Sequence, residues 1–302
     1  MRATPHPDTE PRSCRTSRRG TRVRSRLVAL ALLVALLPVV ARTAAAPTAL
    51  KTLELGSGPT VVFVHQMGAT RMAWMPVARR LLAKHRVVLV DLPGHGESPM
   101  PGSFTLEAAA EALDGVLARQ KPESTVVVGK GMGGVVALIE ARVHPERMKG
   151  LVLVNCSGKL GFGIPDQDKK QFLEMLDQNY DQFLKMLFSN AGYDSAEAVA
   201  MHAQAVLVPK VTMMAYLREL LYADPGIQPK NFRTPLLALV GVHMWPAGKD
   251  SATVLKETGF EGLAGITVRR LGAGTPGAVS AQPESLAAVI SDFAARAIAQ
   301  KK

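Results

Sequence analysis

The chain is 302 residues long, 47% hydrophobic and 20% charged, which accommodates one large domain with a full core. Its formal charge of +11 is not a nucleic-acid signature: nine arginines against Asp8 and Glu10 in the first 46 residues supply +7 of it. The +4 that remains is only mildly basic, so nucleic acid is excluded as a partner.

Residues 1–46 read as an export signal. An arginine-rich stretch ends at Arg26, the apolar run LVALALLVALLPVV follows, and ARTAAAP supplies small residues with cleavage expected near Ala45 or Ala46. The apolar run is shorter than the roughly 20 residues of a membrane span, and Pro38 interrupts it. The expected location is secreted or periplasmic. A retained segment acting as a membrane anchor is the alternative, and the only route to a membrane. Cys14 leaves with the segment, so Cys156 stands alone and the mature chain has no internal disulfide. There is no CxxC, no HExxH and no clustered His and Asp spacing, so neither a metal nor a cofactor is expected.

Strands and helices then alternate. TVVFVH (Thr60–His65) is a short β-branched run, and Trp74, Val77, Ala78, Leu81 and Leu82 carry helical spacing. RVVLVD (Arg86–Asp91) is a second strand, and a helix with Thr105 as N-cap runs to Gln120. STVVVG, the helix MGGVVALIEARVH and the strand GLVLVN (Gly150–Asn155) complete a doubly wound, mostly parallel α/β sheet. From Leu160 to Phe232 only helical spacing appears. Tyr180, Phe183, Leu184, Leu187 and Phe188 form one apolar stripe; Met213, Met214, Leu217, Leu220 and Leu221 form another. Strand patterning returns at Pro235–Gly241 and Ile266–Leu271, and a helix over 283–299 closes the chain. The expected organisation is a core of residues 47–159 and 233–302 with a helical cap, 160–232, over the carboxyl ends of the strands. Open α/β sheets bind ligands at those ends.

Several stretches in this order resemble the α/β-hydrolase family, in its capped branch. VFVHQMGAT is similar to the family's strand and oxyanion loop, and VVLVDLPGHGES to its Asp-x-x-Gly-x-Gly-x-Ser stretch. VVVGKGMGG (Val126–Gly134) resembles the nucleophile elbow Gly-x-Ser-x-Gly, and HPERMKGLVLVN the link that follows it. PLLALVGVHM and RRLGAGTPGAVSAQPESLAAVISDF resemble the strands and loops that carry the acid and the histidine. The resemblance implies the α/β-hydrolase fold with an inserted helical cap, and it assigns the triad positions to Gly131, Met244 and Thr275. None of those residues does triad chemistry. Glycine cannot attack, methionine carries no charge, and threonine does not shuttle protons near neutral pH.

The resemblance also places the oxyanion amides at Met67 and Met132, with Gln66 standing where the family has glycine beside His65. The ligand-binding set implied is His65, Gln66, Met67, Lys130, Gly131, Met132, His243 and Met244. Lys130 invites an anion; the methionines favour an apolar ligand. The expected function is therefore a non-catalytic, exported binder of an apolar small molecule or a protein partner. The alternative is an esterase-like hydrolase with a relocated site that uses His243 or Cys156. Asp250 stands near the lost acid without a histidine to orient, and Asn155 reads as a cap on the strand end.

Overall fold

A computed structural model describes residues 48–189, 195–227, 232–271 and 282–300. Seven strands form one sheet: β1 (Thr52–Leu55), β2 (Thr60–Val64), β3 (Arg86–Val90), β4 (Thr125–Lys130), β5 (Gly150–Val154), β6 (Leu236–Val240) and β7 (Ile266–Arg270). Their order is β1-β3-β2-β4-β5-β6-β7. All neighbours pair in parallel except β1, which runs antiparallel to β3 with Thr52 opposite Val90. The central strands are valine- and leucine-rich because both of their faces are covered.

Alternate residues of each strand feed two cores. Val61, Phe63, Val87, Leu89, Val126 and Val128 face helices α1 (Met75–Leu81) and α9 (Pro283–Ala299), where Phe63 packs on Trp74 with ring centroids 4.9 Å apart. Val62, Val64, Val88, Val90 and Val127 face helices α2 (Leu106–Leu117) and α3 (Met132–Val143). Thr105 Oγ1 accepts from the Ala108 amide at 3.1 Å and caps α2.

Among the described residues, four helices lie between β5 and β6: α4 (Asp166–Gln178), α5 (Tyr180–Ser189), α6 (Ser195–Ala205) and α7 (Lys210–Tyr222). They come down on the loop that follows β2. A Cβ added to Gly68 would lie 2.9 Å from Phe188 Cζ, 3.1 Å from Ala205 Cβ and 3.3 Å from Met213 Cε, so the three helices converge on one glycine. Helix α8 (Ser251–Glu257) and strand β1 are absent from the reading of the sequence. Both are short, and β1 is an edge strand without a continuous apolar run. Asp250 is the N-cap of α8, accepting from Thr253 N at 2.9 Å and Thr253 Oγ1 at 2.7 Å, which is its structural task. The export-signal reading of residues 1–46 and the triad-equivalent Thr275 lie outside the described residues.

One buried carboxyl stands out in the α2–α3 packing. Glu140 is 1% exposed on α3, its Oε1 has no hydrogen-bond partner, and Asp114 beside it is held by Arg147 (2.5 Å). Burial, helped by the negative Asp114, holds the Glu140 carboxyl up at about 8. Between its ordinary value of 4.5 and 8 the folded chain therefore keeps a proton that the unfolded chain has released. Stability is fully present below that window and declines as pH rises through it, by up to about 1.4 kcal/mol per pH unit. Glu140→Gln, which resembles the protonated form, is expected to remove most of this slope. Urea unfolding at pH 5 and pH 8 checks it; an unchanged slope would assign the dependence elsewhere.

Candidate active site

The turn from β4 into α3 is built around Gly131. Its φ of 51° and ψ of −122° lie where side chains rarely go, costing a non-glycine residue about 1–3 kcal/mol. Hydrogen bonds fix that conformation: Gly131 N donates to the Val154 carbonyl at 3.1 Å, and Gly131 O accepts from Gly134 N (2.9 Å) and Val135 N (3.1 Å). Helix α3 starts hard against the end of β2, where a Cβ on Gly133 would meet the Val64 carbonyl oxygen at 2.7 Å. The amide of Met132 is the first of α3 and has no acceptor among the described residues, as expected of a helix N-terminus.

Gln66 faces this turn. A Cβ on Gly131 would sit 3.3 Å from Gln66 Cβ, so Gln66 occupies the flank of the position where the family carries its nucleophile. The loop bearing Gln66, Met67 and Gly68 is pinned by two histidines. His65 Nδ1 donates to the Gln66 carbonyl at 2.7 Å, and its Nε2 accepts from Leu92 N at 3.0 Å. His95 Nδ1 donates to the Pro93 carbonyl at 3.2 Å, and its Nε2 accepts from Gly68 N at 3.3 Å. The rings lie 5.1 Å apart, and burial pulls His65 down to about 4 and His95 to about 3. Both are neutral ties between backbone segments, and neither has a free nitrogen to act as a base.

The remaining sequence-derived residues divide. His65, Gln66, Met67, Gly131 and Met132 come together at the carboxyl ends of β2 and β4, with Lys130 buried at the last position of β4. Met67 and Met132 belong to the same apolar cluster as Phe188 and Met213 of the cap. His243 and Met244 sit two strands away, in the turn after β6, where Met244 N and Trp245 N donate to the Gly241 carbonyl. His243 is exposed and Met244 half-buried against the core. Cys156 is buried against Gly134, and its thiol makes only a 3.8 Å contact with the Ser157 carbonyl. Burial pushes that thiol up, away from the thiolate a nucleophile needs. Asn155 takes a left-handed φ of 47°, and its Oδ1 accepts from Gly241 N at 2.7 Å, joining the ends of β5 and β6.

Sequence reasoning passed over Tyr216. It is fully buried on α7, its hydroxyl has no partner, and its ring lies 5.8 Å from His95 and 5.4 Å from Phe104. Burial raises its hydroxyl. Nothing in the apolar periodicity of α7 sets it apart. Gly131→Ala is expected to lower stability by about 1–3 kcal/mol through the left-handed φ, read as a drop in the urea midpoint. A neutral result would mean that the turn relaxes away from its observed dihedrals.

The model of the α/β hydrolase fold family matches residues 59–205. Among curated proteins, the chain is 34% identical over 161 residues to a pimeloyl-[acyl-carrier protein] methyl ester esterase of Pseudoalteromonas atlantica, covering 50% of this chain and 60% of that protein. It is 41% identical over 103 residues to the esterase of the same name in Chromobacterium violaceum, covering 34% and 39%. The chain thus spans less than two thirds of the length of the curated relatives it matches. The esterase EaEST of Exiguobacterium antarcticum superposes with a TM-score of 0.69 at 18% identity, over 82% of this chain and 95% of that one, a likeness of fold alone. These relatives correct the expectation of a non-catalytic binder, and the label of pseudoenzyme with it: these similar curated sequences are named as enzymes. Gly131 and Met244 carry no triad chemistry, and the glycine turn between β4 and α3 is kept. The chain has the α/β-hydrolase fold, and its residues 59–205 match the model of that family.

Proposed function

We propose that the protein is an ester hydrolase acting on an acyl ester with an apolar acyl part, seated between the elbow and the cap. The observation that carries this reading is the preserved elbow backbone, with the Met132 amide unpartnered at the head of α3; the identity to named esterases supports it. The ester carbonyl oxygen would take the amides of Met132 and Met67. The buried Met67 and Met132 side chains provide an apolar wall for the acyl chain.

With no side chain on Gly131, the nucleophile in this reading is water. Its oxygen attacks the carbonyl carbon, and the amides hold the resulting oxyanion. The intermediate collapses with cleavage of the carbon–alkoxy bond, and the proton of the attacking water passes through solvent to the departing alkoxide. Products are the carboxylic acid and the alcohol. Such a site lacks general-base and covalent contributions, so its expected acceleration is about 10³–10⁴ over water, the residue that oxyanion stabilisation and binding leave when a triad is removed. His243 and Cys156 are not needed: the first is exposed and the second is a buried neutral thiol.

Turnover of short- and medium-chain p-nitrophenyl esters tests this. Met132→Pro deletes the one amide while placing proline at the first helical position, where it is tolerated. It is expected to cost about 10²-fold or more in kcat. Gly131→Ser alone is expected to give no large gain, because His65 and His95 have no nitrogen to spare. Background-level hydrolysis by the unmodified protein, or equal rates for Met132→Pro, would overturn the proposal.

A further inference from the structure

A hydrogen-bonded serine and histidine meet at the opposite end of the strands from the elbow. His85 immediately precedes β3, and its Nε2 lies 2.8 Å from Ser291 Oγ on α9, 206 positions away in the chain. His85 is 5% exposed and Ser291 half-buried. Both line a cleft of about 310 Å³, at the small end of the range for ligand pockets, together with Arg80, Lys84 and Glu284.

The surroundings favour a base rather than a cation. Burial lowers the His85 imidazole, and Lys84 beside it acts in the same direction. Nδ1 is buried, and the backbone acceptor acting on the ring is the Pro59 carbonyl, which works against the lowering; that carbonyl accepts from Arg86 N at 3.0 Å and keeps a second lone pair for an Nδ1 proton. A proton on Nδ1 leaves the Nε2 lone pair facing the Ser291 hydroxyl, which is the arrangement of a nucleophile and its base. Arg80 is engaged by Glu284 (2.6 Å) and the Pro76 carbonyl (2.7 Å). Lys84 has no acidic partner among the described residues and is the cation open to an incoming oxyanion.

We propose that Ser291 and His85 form a second, nucleophilic site that takes small activated carboxylic esters and is acylated at Ser291 Oγ. The Ser291 oxygen attacks the carbonyl carbon while its proton moves to His85 Nε2. The carbon–oxygen bond to the leaving group breaks, and that group departs with the proton. Water, deprotonated by the same imidazole, then releases the acid and restores the serine. Lys84 holds the transient negative oxygen. This site does not depend on the elbow: it shares no residue with it.

The test is covalent labelling of the full chain with p-nitrophenyl acetate and with an alkyl fluorophosphonate, followed by peptide mass mapping. The adduct is expected on Ser291, absent in Ser291→Ala, and slowed at least about tenfold in His85→Gln. Lys84→Met leaves the histidine–serine bond untouched and keeps the test open should His85→Gln fail to fold; it is expected to slow labelling by about tenfold. An adduct found only elsewhere, none at all, or unchanged labelling of Ser291 in Lys84→Met and in a folded His85→Gln overturns the proposal.

Discussion

The site rests on a backbone constraint: the left-handed Gly131 locked by Val154, Gly134 and Val135. That lock sets the start of α3 beside Gln66 of the loop after β2. Everything around it serves to hold the same geometry. The neutral rings of His65 and His95 stitch that loop to the segment after β3, and Phe188, Ala205 and Met213 press on it from above through Gly68. A turn that is strained for any other residue persists because the neighbouring strand ends and helix overdetermine it.

The parallel sheet was legible because its inner strands are buried on both faces, so runs such as VVFV and VVLV are nearly pure β-branched and apolar. The helices of the cap showed themselves through apolar stripes that the structure packs inward, including Phe183, Leu184 and Phe188. Strand β1 carries no such run, being an edge strand of three half-buried residues and the exposed Glu54, and the seven residues of α8 are too few to show a helical stripe. The seating of the cap on Gly68 has no sequence signal. It depends on three side chains brought together from separate helices.

The site was legible in part for the same reason. Which side chains are missing from a motif can be read directly: Gly131 and Met244 stand where they stand. What backbone amides do cannot be read that way, because their use depends on hydrogen-bond partners fixed only by the fold. Weighing absent side chains alone points to a binder, whereas the curated sequences that the chain resembles are named as esterases. Likewise the pairing of His85 with Ser291 joins residues too far apart in sequence for any spacing rule to link them.

The most direct measurement is a crystal structure with a medium-chain alkylphosphonate monoester, a tetrahedral anion shaped like the addition intermediate. The account predicts one phosphonate oxygen within about 2.7–3.1 Å of the Met132 and Met67 nitrogens, above an unsubstituted Gly131, with the alkyl chain running beneath the cap. A phosphonate bound elsewhere, or an elbow whose Met132 amide is turned onto a protein carbonyl in that crystal, would contradict it.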